Sequence, residues 1–325
     1  MNGRKIDYLR ISLTDRCNLR CRYCMPRDIE SVPMEEILTY EEICEIVQAG
    51  TKCGIRHLRI TGGEPLVRKG CPECIRMLKK LSGVETVMMT TNGILLKEFL
   101  PDLLEAGIDG INISLDTLQR DKYKEITGYD GLNRVLEALE ACVEVGVRTK
   151  INVAAAKELN EGEIFQLAKL SSEYPVDVRF IEMMPIGYGK QFSGLDNRKL
   201  IKQFQKKYPG IQPAKSVHGA GFGPAVYWQI PGFQGRTGFI SAMHGKFCKD
   251  CNRLRITSTG KLKYCLCFEN AKDVKDILRE EKNPVLRQEK LCMAFEEAIR
   301  KKPLEHRFET PEEISETKKM SQIGG

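Results

Sequence analysis

Histidine is scarce in this chain, with four in 325 residues, and there is one tryptophan. Four scattered histidines cannot support an array of Cys2His2 sites. Any multi-cysteine site is therefore expected to be dominated by thiolates, which points to iron–sulfur or zinc. No apolar run approaches about 18 residues, which argues against a membrane span. The opening segment MNGRKIDYLR lacks the apolar h-region of a secretory signal, so a reducing, cytoplasmic setting is expected. No basic stripe interleaved with aromatics is visible, and no nucleic-acid partner is expected. Internal repeats and low-complexity tracts are also missing. What is present suits a folded enzyme-sized chain. Hydrophobic residues make up 42% and charged residues 29%, which excludes a disordered chain. At about 100–200 residues per domain, the length fits two domains or one large α/β domain.

Against the scarcity of histidine stand 13 cysteines and a net charge of +7. An odd cysteine count in a chain this long does not read as a small disulfide scaffold. The excess of Lys and Arg suits either a phosphorylated ligand or an ordinary surface.

Up to residue 182 the chain alternates strand-like and helix-like segments. Strands are expected at Tyr8–Thr14, His57–Thr61, Thr86–Thr91, Gly110–Ser114, Arg148–Ala154 and Val178–Glu182. Between them Tyr40–Cys53, a short Ile75–Leu81, Leu95–Ala106 and Leu132–Val145 carry apolar residues at helical spacing. Gly54, Gly107 and Gly146 follow three of these as C-cap signals. Six βα units in series predict a parallel sheet, either open or barrel-like. After Glu182 the rhythm stops. Gly- and Pro-rich stretches lead to short strand-like runs at Val226–Ile230, Thr237–Ser241 and Arg253–Thr257, and to helical patterns at Lys272–Glu281 and Val285–Lys301. The division is expected near 185, as 1–184 and 185–325.

Strand residues alternate sides. Arg10 and Ser12, Arg59 and Thr61, Asn112 and Ser114, and Lys150 and Asn152 therefore oppose the apolar faces of their strands. An ordinary closed barrel fills its interior with Val, Ile and Leu. A polar interior here would be a wet, ligand-holding cavity, while an open sheet with polar edges is the alternative.

Directly after the first strand comes Asp15-Arg16-Cys17-Asn18-Leu19-Arg20-Cys21-Arg22-Tyr23-Cys24-Met25-Pro26, a CxxxCxxC run. Three thiolates in eight residues can hold one face of a [4Fe–4S] cluster, which normally takes four cysteines, and would leave one iron open. A zinc loop or three unrelated thiols is the alternative. With Gly62-Gly63-Glu64-Pro65, Thr90-Thr91-Asn92-Gly93 and Asn112-Ile113-Ser114-Leu115-Asp116 after or at successive strands, the run resembles the radical S-adenosylmethionine (SAM) superfamily. A second cluster, Cys248-Lys249-Asp250-Cys251-Asn252-Arg253-Leu254-Arg255, continues to Cys265. Cys267 lies two residues further and could close a four-thiol zinc site.

The segments LRISLTDRCNLRCRYCMP, RITGGEPLVR, RFIEMMPIG, CNRLRIT and the terminal IGG are together similar to the GTP 3′,8-cyclase family of molybdenum cofactor biosynthesis. The resemblance runs from Leu9 to the end. It implies an incomplete (β/α)6 TIM-type barrel with a C-terminal α+β extension closing the barrel mouth. It implies two [4Fe–4S] clusters, on Cys17, Cys21 and Cys24 and on Cys248, Cys251 and Cys265, with Cys267 a bystander. SAM is expected at Tyr23, Gly63, Ser114 and Met184. GTP is expected at Arg10, Arg59, Thr90, Lys150, Arg179, Arg253 and Arg255, with Lys150 open to a one-residue slip in register. The terminal Gly324 and Gly325 are expected to reach the active site.

The implied reaction cleaves SAM to methionine and a 5′-deoxyadenosyl radical, which takes the 3′ hydrogen of GTP. The resulting radical attacks C8 to give (8S)-3′,8-cyclo-7,8-dihydro-GTP. Implied partners are GTP, an electron donor such as flavodoxin or ferredoxin, a downstream cyclic pyranopterin monophosphate synthase, and a second copy of the chain in a homodimer. No acid–base dyad is required, and none of the four histidines is assigned a catalytic role.

Two other readings stay open. One is a peptide-modifying radical SAM enzyme with an auxiliary cluster. The other is a zinc-stabilised nucleic-acid-binding module. Cys71 and Cys74 form a further pair at a helix start, reactive if exposed there and otherwise two unrelated thiols. Cys44, Cys53, Cys142 and Cys292 fall on helical patterns as packing residues.

Overall fold

Alternating segments fold as alternating elements because each strand buries one face and each helix one stripe. In the computed structural model, which describes residues 4–25, 32–214, 223–245 and 247–324, the first part runs as follows. The elements are β1 (Tyr8–Ser12), α1 (Tyr40–Lys52), β2 (His57–Thr61), α2 (Cys71–Lys79), β3 (Thr86–Thr91), α3 (Leu96–Glu105), β4 (Gly110–Ser114), α4 (Arg120–Thr127), α5 (Leu132–Glu144), β5 (Thr149–Ala155), α6 (Lys157–Asn160), α7 (Ile164–Glu173) and β6 (Asp177–Glu182). The second part holds α8 (Asn197–Lys207), β7 (Gln212–Pro213), β8 (Val226–Gln229), β9 (Thr237–Ile240), β10 (Arg253–Ile256), β11 (Lys261–Lys263), β12 (Ala271–Asp273), α9 (Lys275–Glu280) and α10 (Pro284–Arg300).

The expected strands are all present, within two residues at their ends. Four helices lie outside the expected set: α4, the short α6, α7 and α8. In α8 a clear but short apolar stripe, Leu200, Ile201 and Phe204, is set among Lys, Arg and Gln, so the segment as a whole is strongly polar. Asp196 starts it by accepting from Arg198 N at 2.9 Å. Helix α2 begins four residues earlier than expected, at Cys71, because Pro72 in the first turn has the backbone angle a helix start needs. Gly107 and Gly146 end α3 and α5 with φ of 84° and 69°, a region other residues avoid.

Among the described residues the strands form one sheet in the order β12-β11-β10-β1-β2-β3-β4-β5-β6-β9-β8-β7. The run from β10 through β1–β6 to β9 is parallel throughout. The second part therefore does more than cover a mouth. It adds one parallel strand to each edge of the six-stranded barrel, then finishes each edge with short antiparallel strands. Strands β9 and β10 do not pair with each other, so the barrel stays open.

The outer face of this sheet is the core. Leu9, Ile11, Leu58, Ile60, Val87, Met89, Ile111, Ile113, Ile151, Val153, Val178 and Phe180 are all buried against the helices. Helix α1 is started by a capping box between Thr39 and Glu42. Helix α10 packs back onto α1, where a side-chain carbon at Gly50 would meet the Phe295 ring at 3.0 Å. Arg287 of α10 pairs with Glu45 at 2.6 Å. Cys71, Cys74 and Cys142 lie in this core, and Cys44, Cys53 and Cys292 pack against it. Burial pushes the Cys71 and Cys74 thiols up, so the helix start does not make them reactive. All thirteen cysteines are free. Among the described residues, no helix is long and apolar enough to cross a membrane.

Candidate active site

The inner face of the sheet is set by register. Arg10 lies beside Arg255 on one side and Arg59 on the other, and Arg59 lies beside Met88. Asn112 lies between Thr90 and Lys150. Asn152 lies between Ser114 and Arg179. Side chains at paired positions point the same way, so these residues form layers inside the open barrel. They line one cavity of about 380 Å³, within the range of small-ligand sites.

The same cavity is lined by Cys17, Cys21, Cys24, Tyr23, Gly63 and Met184 at one end, and by Cys248, Cys251, Cys265, Arg253 and Arg255 from the second part. Every residue expected to hold a cluster, SAM or GTP is among its lining residues. Lys150 faces inward in the observed register. Gly324 is close by. Its carbonyl accepts from Arg255 Nη1 at 2.6 Å, and an added side-chain carbon would meet Ser12 at 3.1 Å and Thr61 at 3.2 Å. Gly325 lies outside the described residues.

The cysteine loop is held by its neighbours. Gly63 N donates to Thr14 O at 2.7 Å and Glu64 N to Arg16 O at 2.8 Å. A side-chain carbon at Gly63 would lie 2.3 Å from Arg16 O. The glycine pair is thus required by the loop backbone packed on it, and not only by a ligand. The buried Glu64 accepts from Asn92 N at 2.7 Å and Thr91 Oγ1 at 2.8 Å. Burial pushes its carboxyl up to about 7. Asn92 Nδ2 in turn donates to Asn18 Oδ1 at 2.7 Å and reaches Cys17 Sγ at 3.7 Å. Tyr23 O–H donates to Asp116 Oδ2 at 2.6 Å, and Asp116 Oδ1 accepts from Ala154 N at 2.7 Å. Burial raises the Asp116 carboxyl to about 6.

The thiols of this loop are difficult to ionise. Burial raises Cys17 to about 11 and Cys24 to about 12, and burial together with Cys24 and Asp116 raises Cys21 well above the usual thiol value. A cationic iron–sulfur group would relieve this, since it takes thiolates. Spacing agrees. A single zinc with bonds of about 2.3 Å needs sulfurs roughly 3.8 Å apart. Among the described residues, the set of three or more His, Cys, Asp or Glu with ligand atoms all within 4.8 Å of one another is Glu182, Asp196 and His244; neither cysteine triplet is that tight. The donor sets fit a larger group. Glu182 itself accepts from Asn197 N at 2.9 Å, Met243 N at 2.7 Å and His244 N at 2.9 Å, and its carboxylate lies 3.1 Å from His244 Nδ1. It staples the extension to the end of β6.

The second triplet sits among cations. Arg4 Nη1 donates to Cys248 O at 2.9 Å. Lys302, buried, donates to Arg253 O at 2.7 Å and Tyr264 O at 2.9 Å. Burial alone would raise Cys251, but Lys302 and Arg253 outweigh it and the thiol is lowered. Cys267 turns away into a small core with Ile186, Phe308, Ile314 and Ile323, and its sulfur accepts from Arg307 N at 3.3 Å. It follows β11 in a turn, so the strand alternation that would align it with Cys265 does not apply.

Cations crowd the middle of the cavity. Burial and Arg255 lower Arg10, and burial and Arg253 lower Arg255 to about 10. Burial and Arg179 bring Lys150 to about 7. Lys150 lies 3.0 Å from Tyr227 O–H and 3.4 Å from Asp177, which also pairs with Arg236 at 2.8 Å. Tyr8 would be raised by burial, yet Arg59, Arg10 and Arg253 lower it. Thr90 Oγ1 and Arg179 Nε are buried without a protein partner. Cations this crowded, together with the orphaned donors at Thr90 and Arg179, suit an anionic ligand. Tyr8, Glu64, Asn92, Asp116, Tyr227 and Lys302 were not assigned to the site from sequence. Glu64, Asn92 and Asp116 stand inside the quoted motifs, Tyr8 directly precedes one, and Lys302 gives no local signal.

Residues 11–171 match the model of the radical SAM superfamily, and residues 176–308 that of Molybdenum Cofactor Synthesis C. The GTP 3′,8-cyclase of Clostridium perfringens (strain 13 / Type A) is 42% identical over 324 residues, covering 99% of this chain and 98% of that one. That of Alkaliphilus oremlandii (strain OhILAs) is 43% identical over 328 residues, covering 99% and 98%. Among solved structures, Streptococcus suis SuiB bound to S-adenosylmethionine superposes with a TM-score of 0.62 at 16% identity, covering 87% of this chain and 65% of that one, a likeness of fold. Spanned end to end by such relatives, the chain belongs to the GTP 3′,8-cyclase family of the radical SAM superfamily.

Proposed function

We infer that this chain converts GTP to (8S)-3′,8-cyclo-7,8-dihydro-GTP at the expense of SAM, the first step of molybdenum cofactor biosynthesis. The observation that carries this reading is the convergence of two thiol triplets and a belt of cations on one cavity. Cys17, Cys21 and Cys24 would hold one [4Fe–4S] cluster, and Cys248, Cys251 and Cys265 the other. When bound, such clusters supply one-electron chemistry and an open iron for a small ligand.

The chain's own residues do the positioning. Gly63, Tyr23, Ser114 and Met184 surround the SAM end. Arg10, Arg59, Lys150, Arg179, Arg253 and Arg255 neutralise the triphosphate, and Thr90 supplies a hydroxyl. Guanidinium forks suit phosphate oxygens, and burial strengthens each contact. The Gly324 carbonyl holds Arg255 from the tail side. The reading carries further partners: a flavodoxin- or ferredoxin-type electron donor and a downstream cyclic pyranopterin monophosphate synthase. Thirteen free thiols suit a cytoplasmic, reducing setting. A triphosphate matches this many clustered cations better than a typical peptide, so the peptide-modifying alternative is disfavoured.

The test is anaerobic turnover. Reconstituted, reduced protein with SAM and GTP deuterated at C3′ should give deuterated 5′-deoxyadenosine and one cyclised GTP product. Well-loaded protein that cleaves SAM without any GTP-derived product would end this reading.

A further inference from the structure

Eight residues before Gly324 the tail crosses a buried ion pair that none of the chemistry above requires. Lys263 of β11 and Glu316 of the tail pair with side chains 4% and 0% exposed. Lys263 Nζ also donates to Phe268 O at 2.8 Å. Glu316 Oε1 accepts from Lys318 N at 2.9 Å, and Glu316 N donates to Cys267 O at 3.3 Å. Both partners therefore grip the turn that follows Cys265. Around them Ile314, Met320 and Ile323 of the tail pack with Ile186, Cys267 and Phe308.

A buried ion pair is a poor source of stability, because desolvation offsets most of the attraction. Its distinctive property is registry. If the tail slid by one residue, two charges would be left buried and unpaired. The small apolar core alone would tolerate such a slide far better. Downstream there is little tolerance, since the Gly324 carbonyl meets Arg255 and any added side-chain carbon there would meet Ser12 and Thr61.

We propose that Lys263 and Glu316 are a positioning pair that fixes the register of the tail against the Cys265 turn and so seats Gly324 on Arg255. The catalytic part of this rests on the GTP reading above; the seating itself does not.

The test is amide hydrogen exchange on cluster-loaded, full-length protein, read beside turnover. Glu316→Gln and Lys263→Met should each speed exchange of the amides at 317–324 by about 100-fold or more, because the remaining charge loses its buried partner. Amides of β1–β6 should keep their protection. GTP turnover should fall in kcat by about tenfold or more, in step with the unseated tail, with the KM for SAM unchanged. Lys263→Arg, which keeps the charge and a donor for Phe268 O, should stay close to the wild type in both. Unchanged exchange in the tail of both single variants would overturn the proposal. So would a Lys263→Arg protein that folds yet exchanges its tail as fast as Lys263→Met. Should exchange in a single variant spread through β10–β12, Lys263→Arg decides by the same criterion. A wild-type protein that makes no product from GTP removes the catalytic reading, while tail exchange still decides the pair.

Discussion

The two thiol triplets offer the same number of sulfurs among different neighbours. Cys17, Cys21 and Cys24 come from eight residues of one loop and sit near Glu64 and Asp116. Cys248, Cys251 and Cys265 come from two segments joined across the extension and sit near Lys302 and Arg253. Burial raises all three thiols of the first set, and it raises Cys248 of the second as well; Cys251 alone is lowered, by Lys302 and Arg253. The first site is self-contained and needs a cationic group to settle its charge. The second shares its cations with whatever anion fills the cavity, so its field and the substrate's are one system.

The sharpest way to break this comparison is to remove one thiol from each set. Cys24→Ala should reduce 5′-deoxyadenosine formation to background and iron from about eight to about four per chain. Cys251→Ala should lose the same iron and all GTP-derived product, yet keep reductive cleavage of SAM. Loss of SAM cleavage in Cys251→Ala would show that the two sites are not separable in this way.

Next in size are the shared cations. Arg253→Ala and Arg255→Ala should each lower kcat/KM for GTP by about 10- to 100-fold, the scale of a lost charge-assisted hydrogen bond. Iron content and SAM affinity should be unchanged, which steady-state kinetics and iron analysis read directly.

Lys150 sharpens the comparison through pH. Burial, then Arg179, brings its amine to about 7. Below that pH it is already an ammonium when a triphosphate arrives. Above it, binding must take up a proton, so GTP affinity should weaken as pH rises past 7, by at most about tenfold per unit. Lys150→Gln should flatten that slope in a binding titration from pH 6 to 9.

The smallest effect concerns Cys267. Cys267→Ala should leave iron content and turnover unchanged and reduce stability by about 1 kcal/mol, the scale of a small buried group. A loss of iron would return it to the second site.

The strands and the inner polar faces were readable because alternation is a local property: Arg10, Arg59, Asn112 and Lys150 declare their side through their neighbours. The cysteine loop was readable because its three thiols lie within eight residues. What could not be read was pairing at a distance. Nothing near Arg253 says that its strand will lie against β1, 245 residues earlier, and nothing near Thr237 places it beside β6. The bonds from Tyr23 to Asp116 and from Asn92 to the Cys17 loop likewise join segments about 75–93 residues apart. Helix α8 was missed for another reason: its apolar stripe, Leu200, Ile201 and Phe204, is brief, and the Lys, Arg and Gln around it leave the segment polar on average.

The short strands that finish the sheet set a limit on how these molecules meet one another. An open parallel sheet ending on a long bare strand would be a template for further strands. Here one border is β7, two residues ending in Pro213, which has no N–H to offer, and the other is β12, three residues carrying Lys272 and Asp273. Among the described residues neither border is long enough or apolar enough to recruit a neighbour. The barrel can thus remain open along its side without these edges inviting fibrous growth.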